Sequence, residues 1–271
     1  MLRLSRARTP SAQMACPRDG VLLARRGYIF ARPLSQAAAQ PQFDFPLVRR
    51  ELFEAWSRAE ARTVSGRAAR QATYCNFTYL DAERLYASNS VSWHWLDREM
   101  SSNFAGETGA VAIYHGALSA ISLRAAFAPL PETARTFAAA HMEAEGQHLA
   151  LLENTVPVSK RTRLLPAWRT AGWALGFLPT LVCGAPGLYR TVASVESFVE
   201  EHYQQQIIPL SKSGECPELV RLLTHCCADE VHHREDALKQ LPPGAGGPVA
   251  WAWGALVKTG SRVAAELARR I

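Results

Sequence analysis

Two short runs, Glu145-Gly146-Gln147-His148 and Glu230-Val231-His232-His233, each set a carboxylate and an imidazole three residues apart. On a helix that spacing brings both side chains to one face, one turn apart, where they can hold a metal ion together. The second run lies in ADEVHHRED, which crowds four carboxylates and two histidines into nine residues. Helical geometry separates them, because each residue advances about 100° around the axis. Measured from Leu219, Glu230 and His233 fall within about 40° of the apolar stripe, whereas His232 at about 220° and Glu235 at about 160° lie opposite. Asp229 and Asp236 sit at the flank. Glu145 and His148 share a face with Ala134, Phe137 and Leu152, and Glu143 points away. A carboxylate on an apolar face is costly to bury unless it is paired or bound to a metal.

One such motif is common by chance. Two of them, on the apolar faces of long helices, fit a bundle core that holds two metals, and this arrangement requires one further inward glutamate from each of two other helices. Glu107 satisfies it in FAGETGAVAIYHGAL, sharing its face with Ala110, Val111, Tyr114 and Leu118; Glu196 does so in TVASVESFVEEHYQQQI, beside Val192, Val199 and Tyr203. Glu200 is a rival on the same side as Glu196, or an outer partner. Four carboxylates and two imidazoles suit iron or manganese, and four glutamates nearly neutralise two divalent ions. The metal set expected from the sequence is therefore Glu107, Glu145, His148, Glu196, Glu230 and His233.

These residues need long helices to carry them. From Phe104 onward apolar residues recur at helical spacing, and the pattern predicts helices over about 104–127, 132–155, 191–210, 217–240 and 248–270, with breaks at Pro129 and Pro131, Pro157, the Gly and Pro cluster 184–187, and Pro242-Pro243. The fold class is all-α, a four-helix bundle with a crossover helix and an additional C-terminal helix. The connection between the second and third bundle helices holds an uncharged run of 20 residues, Thr170 to Tyr189, broken by two prolines and four glycines. It reads as a crossover helix, buried or lying in a membrane interface, rather than as a span. The terminal helix, with Trp and Arg flanks, is a candidate for a second interfacial surface.

The first 40 of the 271 residues contain seven of the 30 Lys and Arg but one of the 24 acidic residues, and no Lys. That Arg-rich, Ser-dotted composition is expected of a mitochondrial or plastid transit peptide, and the segment reads as a mitochondrial one. Residues 41–95 form an N-terminal extension to which no chemistry attaches, beginning with a helix around 48–62, and 96–271 form the metal-binding domain. Six cysteines without a C-x-x-C pair exclude a zinc ribbon, a disulfide scaffold and a rubredoxin-type module. No aromatic interleaving or motif suggests a nucleic-acid partner. No G-x-G-x-x-G follows a strand, so a Rossmann nucleotide domain is absent.

With LDR…AGETGA…IYHGAL, EGQHL, LLPAWRTAGWALGF, TVASVESFVEEHYQQQI and ADEVHHRED in place, the chain resembles the demethoxyubiquinone hydroxylase family of ubiquinone biosynthesis, ferritin-like proteins with a di-iron site. The resemblance spans about Leu96 to Arg270. It implies iron ligands at the same six residues, a His202-Tyr203 pair assisting electron delivery, two iron ions, NADH as reductant, and O2-dependent hydroxylation of a polyprenyl quinone at the matrix side of the mitochondrial inner membrane, as a peripheral protein working with a lipid-binding partner. By position, Tyr203 falls on the metal face and His202 beside it, with plain packing residues as the alternative reading. The chain departs from the family where Asn103-Phe104 replace Asp-His, where Ser197 replaces a glutamate, and in a longer interval from Glu107 to Glu145. A different oxidase or ferroxidase on the same scaffold, and a non-catalytic quinone- or membrane-binding protein, are the alternatives.

Overall fold

Helical spacing of apolar residues produces helices and no strand among the described residues, 41–52, 93–214 and 216–271, of a computed structural model. In chain order these are α1 (Trp93–Arg124), α2 (Glu132–Thr155), α3 (Leu165–Cys183), α4 (Ala185–Ser213), α5 (Pro217–Lys239) and α6 (Pro248–Arg270), with a 3-10 turn at Val158–Lys160 and a helical stretch at 45–52. The segment 1–40, expected to be a transit peptide, and most of the expected extension 41–95 lie outside the described residues. α1, α2, α4 and α5 form the bundle, with close pairing of α1 with α2 and of α4 with α5. α3 is the expected crossover, and α6 lies against α1 and α4.

Two boundaries differ from the sequence reading. The first bundle helix begins at Trp93 rather than near Phe104, because Trp95, Leu96 and Met100 continue its buried stripe into the core. The Gly and Pro cluster is a break of one residue only. Gly184, at φ 67°, ends α3, and Pro186 then occupies the opening turn of α4, where a missing N–H costs nothing.

The crossover is held by backbone contact. α3 runs alongside α1 in the same direction, and a Cβ added to Gly176 would sit 1.8 Å from the carbonyl oxygen of Ile113; one added to Gly172 would sit 2.4 Å from that of Gly109, and one added to Gly116 2.0 Å from that of Trp173. Glycine at these positions lets the helices meet main chain to main chain. α6 is tied at both ends: Trp253 Nε1–H donates to Thr191 Oγ1 (3.0 Å) on α4, and the Arg269 guanidinium meets Glu99 (2.9 Å) on α1.

The segment at 43–52 belongs to the core. Phe43, Val48 and Leu52 are buried with Leu96, Leu152 and Leu219. Its Glu51 carboxylate accepts the backbone N–H groups of Glu218 and Leu219 (both 3.2 Å). α5 starts at Cys216 without a side-chain cap of its own, so Glu51 supplies from a distant part of the chain the acceptor and negative charge that a helix N-terminus favours.

Substituting Gly176→Ala is expected to destabilise the fold by at least about 1–3 kcal/mol, since two backbones must separate. Gly146→Ala, at an exposed mid-helix position with no atom within 4 Å of the added Cβ, should be neutral or stabilising. Thermal unfolding followed by circular dichroism checks the pair, and equal melting temperatures would contradict the packing.

Candidate metal centre

Every bundle helix sends its expected glutamate inward. Glu107 on α1, Glu145 and His148 on α2, Glu196 on α4, and Glu230 and His233 on α5 are all buried, none more than 4 % exposed. The residues that helical geometry turned outward, Glu143, His232 and Glu235, are exposed. Glu200 is half-buried and forms an ion pair with Arg234, so it serves as a salt-bridge partner rather than a member of the cluster.

The two E-x-x-H pairs interlock. His148 Nδ1 lies 3.0 Å from Glu230 Oε1 and 3.7 Å from Glu145 Oε2; His233 Nδ1 lies 3.1 Å from both Glu145 Oε1 and Glu230 Oε2. Each of these two carboxylates thus lies between both imidazoles. Glu107 Oε2 is 3.8 Å from His148 Nδ1, and Glu196 stands beside Glu230 at the same centre. Donor atoms of Glu107, Glu145, His148 and Glu230 all lie within 4.8 Å of one another.

Electrostatics follow from so many charges in an apolar core. Burial, and then the neighbouring Glu230 and Glu145, push the Glu107 and Glu196 carboxyls well above the usual range. Burial also raises Glu145 and Glu230, but the His148 and His233 imidazoles beside them outweigh it and hold both below that range. Burial alone would lower the two imidazoles, yet hydrogen bonds to carboxylates raise His148 well above its ordinary value, Asp229 first among them, and raise His233 to about 10. Among the described residues, Glu107 Oε2 and both oxygens of Glu145 lack a well-aligned hydrogen-bond donor although they are buried. Buried acceptors left in this way are costly, and a cation between them would satisfy them. The donor set, four carboxylates and two imidazole Nδ1 atoms, fits a pair of hard-to-intermediate divalent ions.

Some surrounding residues were not readable in the sequence. Asp229 Oδ2 lies 3.1 Å from His148 Nε2, which fixes the ring with Nδ1 toward the centre, as outer carboxylates do for metal-binding histidines. Its only sequence signal is its position at the flank of the α5 stripe. His141 Nε2 pairs with Asp236 (3.1 Å), and its ring stands edge-on to His233 at 4.5 Å. Burial, helped by the charge of His233, pushes His141 down to about 4.

His202 and Tyr203 are both buried, but they differ in reach. Tyr203 O–H donates to Glu107 Oε1 (2.5 Å) and so touches the centre. His202 does not: its Nδ1 faces the Arg269 guanidinium (3.1 Å) and its Nε2 faces Ser102 Oγ (2.9 Å). Burial and then the Arg269 charge hold His202 well below its usual value. Since arginine can only donate, the ring is neutral, accepting at Nδ1 and donating from Nε2.

A cavity of about 570 Å³ opens between α1, α3, α4 and α6. Its walls are apolar, with Ile113, Leu175, Val199, Trp253 and Val257 among them, and it reaches Glu107, Glu145, Glu196 and Glu230; Tyr203 and His202 also line it.

Together the helices and the buried carboxylate–imidazole cluster define a ferritin-like bundle of the kind that holds metal ions in its core. A family model described as "Ubiquinone biosynthesis protein COQ7" matches residues 94–268. The chain is 28 % identical over 180 residues, 65 % of its length and 77 % of the relative's, to the mitochondrial NADPH-dependent 3-demethoxyubiquinone 3-hydroxylase of Dictyostelium discoideum. It is 27 % identical over 188 residues, 68 % of its length and 81 % of the relative's, to the protein of that name from Homo sapiens. It is also 30 % identical over 143 residues, 52 % and 62 % respectively, to the 3-demethoxyubiquinol 3-hydroxylase of Rhodospirillum rubrum. The chain belongs to the COQ7 family and is a hydroxylase, hence an oxidoreductase, of ubiquinone biosynthesis. The mitochondrial relatives are named for NADPH, where the resemblance had implied NADH.

Metal binding must displace the protons that the cluster holds on His148, His233 and its raised carboxyls, so metal affinity is expected to rise with pH. Isothermal titration with Fe(II) or Mn(II) in buffers of different ionisation enthalpy measures the release. Binding heats independent of buffer would contradict it.

Proposed function

We propose that the chain catalyses O2-dependent hydroxylation of the demethoxyubiquinone ring, the penultimate ring modification of ubiquinone biosynthesis, at a di-iron site held by Glu107, Glu145, His148, Glu196, Glu230 and His233. The observation that carries this reading is the apolar cavity ending on the buried carboxylates. A ferroxidase needs a polar route for ions, and this route is lined with Trp, Leu and Val. When bound, the iron pair supplies the activation of O2 that ring hydroxylation requires.

The protein's own groups perform the rest. Glu145 and Glu230, which lie between the two imidazoles, would hold the iron pair together with His148 and His233, with Glu107 and Glu196 as ligands from the other two helices. The cavity walls exclude water and orient the flat quinone ring toward Glu107 and Glu196. Tyr203, hydrogen-bonded to Glu107, couples the cavity to the metal ligands, and neutral His202 beside it presents no charge to an apolar substrate. Electrons come from a reduced nicotinamide nucleotide, delivered at the His202-Tyr203 side of the cavity.

The long polyprenyl tail enters from a membrane. α3 exposes Trp173, Leu178 and Val182, and α6 exposes Val249, Trp251, Leu256 and Val263; both helices line the cavity. Among the described residues no helix is long and apolar enough to cross a membrane. The surface therefore suits peripheral attachment, here assigned to the matrix side of the mitochondrial inner membrane, with a lipid-binding partner protein assisting substrate transfer.

The test is expression in cells lacking their own hydroxylase. The chain and its His232→Ala variant should restore ubiquinone and clear accumulated demethoxyubiquinone to within about twofold of each other, as an exposed substitution allows, and His233→Ala should restore none. Failure of the well-expressed chain to rescue, or equal rescue by both variants, would contradict the proposal.

A further inference from the structure

Tyr114 lies on α1 two turns beyond Glu107 and on the same face. It is 1 % exposed, and its hydroxyl has no hydrogen-bond partner among the described residues. Burial first, and then the charges of Glu196, Glu145, Glu230 and Asp236, push the phenol well above its usual range, and the His141 ring beside it in turn stands against His233 of the cluster. Phe137 and His141 lie against the ring at 6.5 and 5.9 Å between centroids. Phenylalanine would keep the packing of the ring against Phe137 and His141, and a buried hydroxyl without a partner is a net cost to the fold.

The second tyrosine of the centre provides a contrast. Tyr203 lines the cavity and gives its hydroxyl to Glu107. Tyr114 is absent from the cavity wall and faces the cluster from the Phe137 and His141 side. A donor in that position meets what sits among the carboxylates and does not meet the quinone.

We propose that Tyr114 is a ligand-binding residue of the metal centre, its phenol donating a hydrogen bond to a small anionic or oxygen ligand held on the side of the cluster away from the quinone cavity. This rests on the reading of the six residues as a di-iron site. Tyr114→Phe removes only an atom that has no partner among the described residues, so the fold and the iron content should persist.

The experiment uses the full chain loaded with iron and oxidised to the ferric state, with sodium azide as the probe ligand, titrated by the azide-to-iron charge-transfer absorption. Wild type and Tyr114→Phe are expected to hold equal iron, with the azide dissociation constant raised about tenfold in the variant and its charge-transfer band displaced. Equal azide affinity and band position at equal iron content would overturn the proposal and leave the metal site standing. Loss of iron from Tyr114→Phe would overturn it by placing the phenol in the support of the carboxylates. A folded wild-type chain that takes up no iron would overturn the metal reading and this inference with it.

Discussion

Four carboxylates sit in the interior of one helical bundle, and much of the surrounding architecture answers to that constraint. Ionised glutamates are expensive to bury, and the bundle offsets the cost locally by placing an imidazole Nδ1 within 3.1 Å of Glu145 and Glu230. The neighbours then act on those imidazoles. Asp229 holds the outer nitrogen of His148, and Asp236 holds His141 against His233. Carboxylates outside the cluster thus orient histidines that face carboxylates inside it, an arrangement suited to divalent cations.

The same interior must also open to an apolar substrate, and a four-helix bundle alone offers no wall for it. α3 and α6 provide one. Because Gly172 and Gly176 bring the α3 backbone against α1, the cavity forms on the flank of the bundle, closed on its other side by α6. The Arg269–Glu99 pair that anchors the end of α6 also contacts His202. One buried charge pair therefore fixes both the far wall of the cavity and the tautomer of the imidazole that lines it.

The cluster was legible in the sequence because each of its residues announces itself by position on one helix. Glu230 and His233 share a stripe with Leu219 and Leu223, whereas His232 does not, and that distinction needs no tertiary information. Helix α2 was legible for the same reason, between Pro131 and Pro157. The opening turns of α1 were missed because Trp93 to Asn103 mix polar and apolar residues, and Trp95, Leu96 and Met100 gain their burial from partners on α2, α4, α5 and the segment 43–52. What could not be read were pairings across helices: Asp229 with His148 (81 residues apart), Glu51 with the start of α5 (167 residues apart), and Arg269 with Glu99 (170 residues apart). A lone Asp or Arg at the edge of a stripe carries no mark of its partner. Tyr203 and His202, adjacent in sequence, take different roles because the helix turns one toward Glu107 and the other toward Arg269.

The most direct measurement is the metal content of the purified chain after anaerobic loading with Fe(II) and removal of unbound metal, read by inductively coupled plasma mass spectrometry together with the melting temperature. The arrangement of four glutamates and two histidines predicts two irons per chain and a higher melting temperature in the loaded form, since metal binds only the folded state. A folded chain that retains no iron and melts at the same temperature with and without it would contradict the assignment of these buried carboxylates to a metal centre.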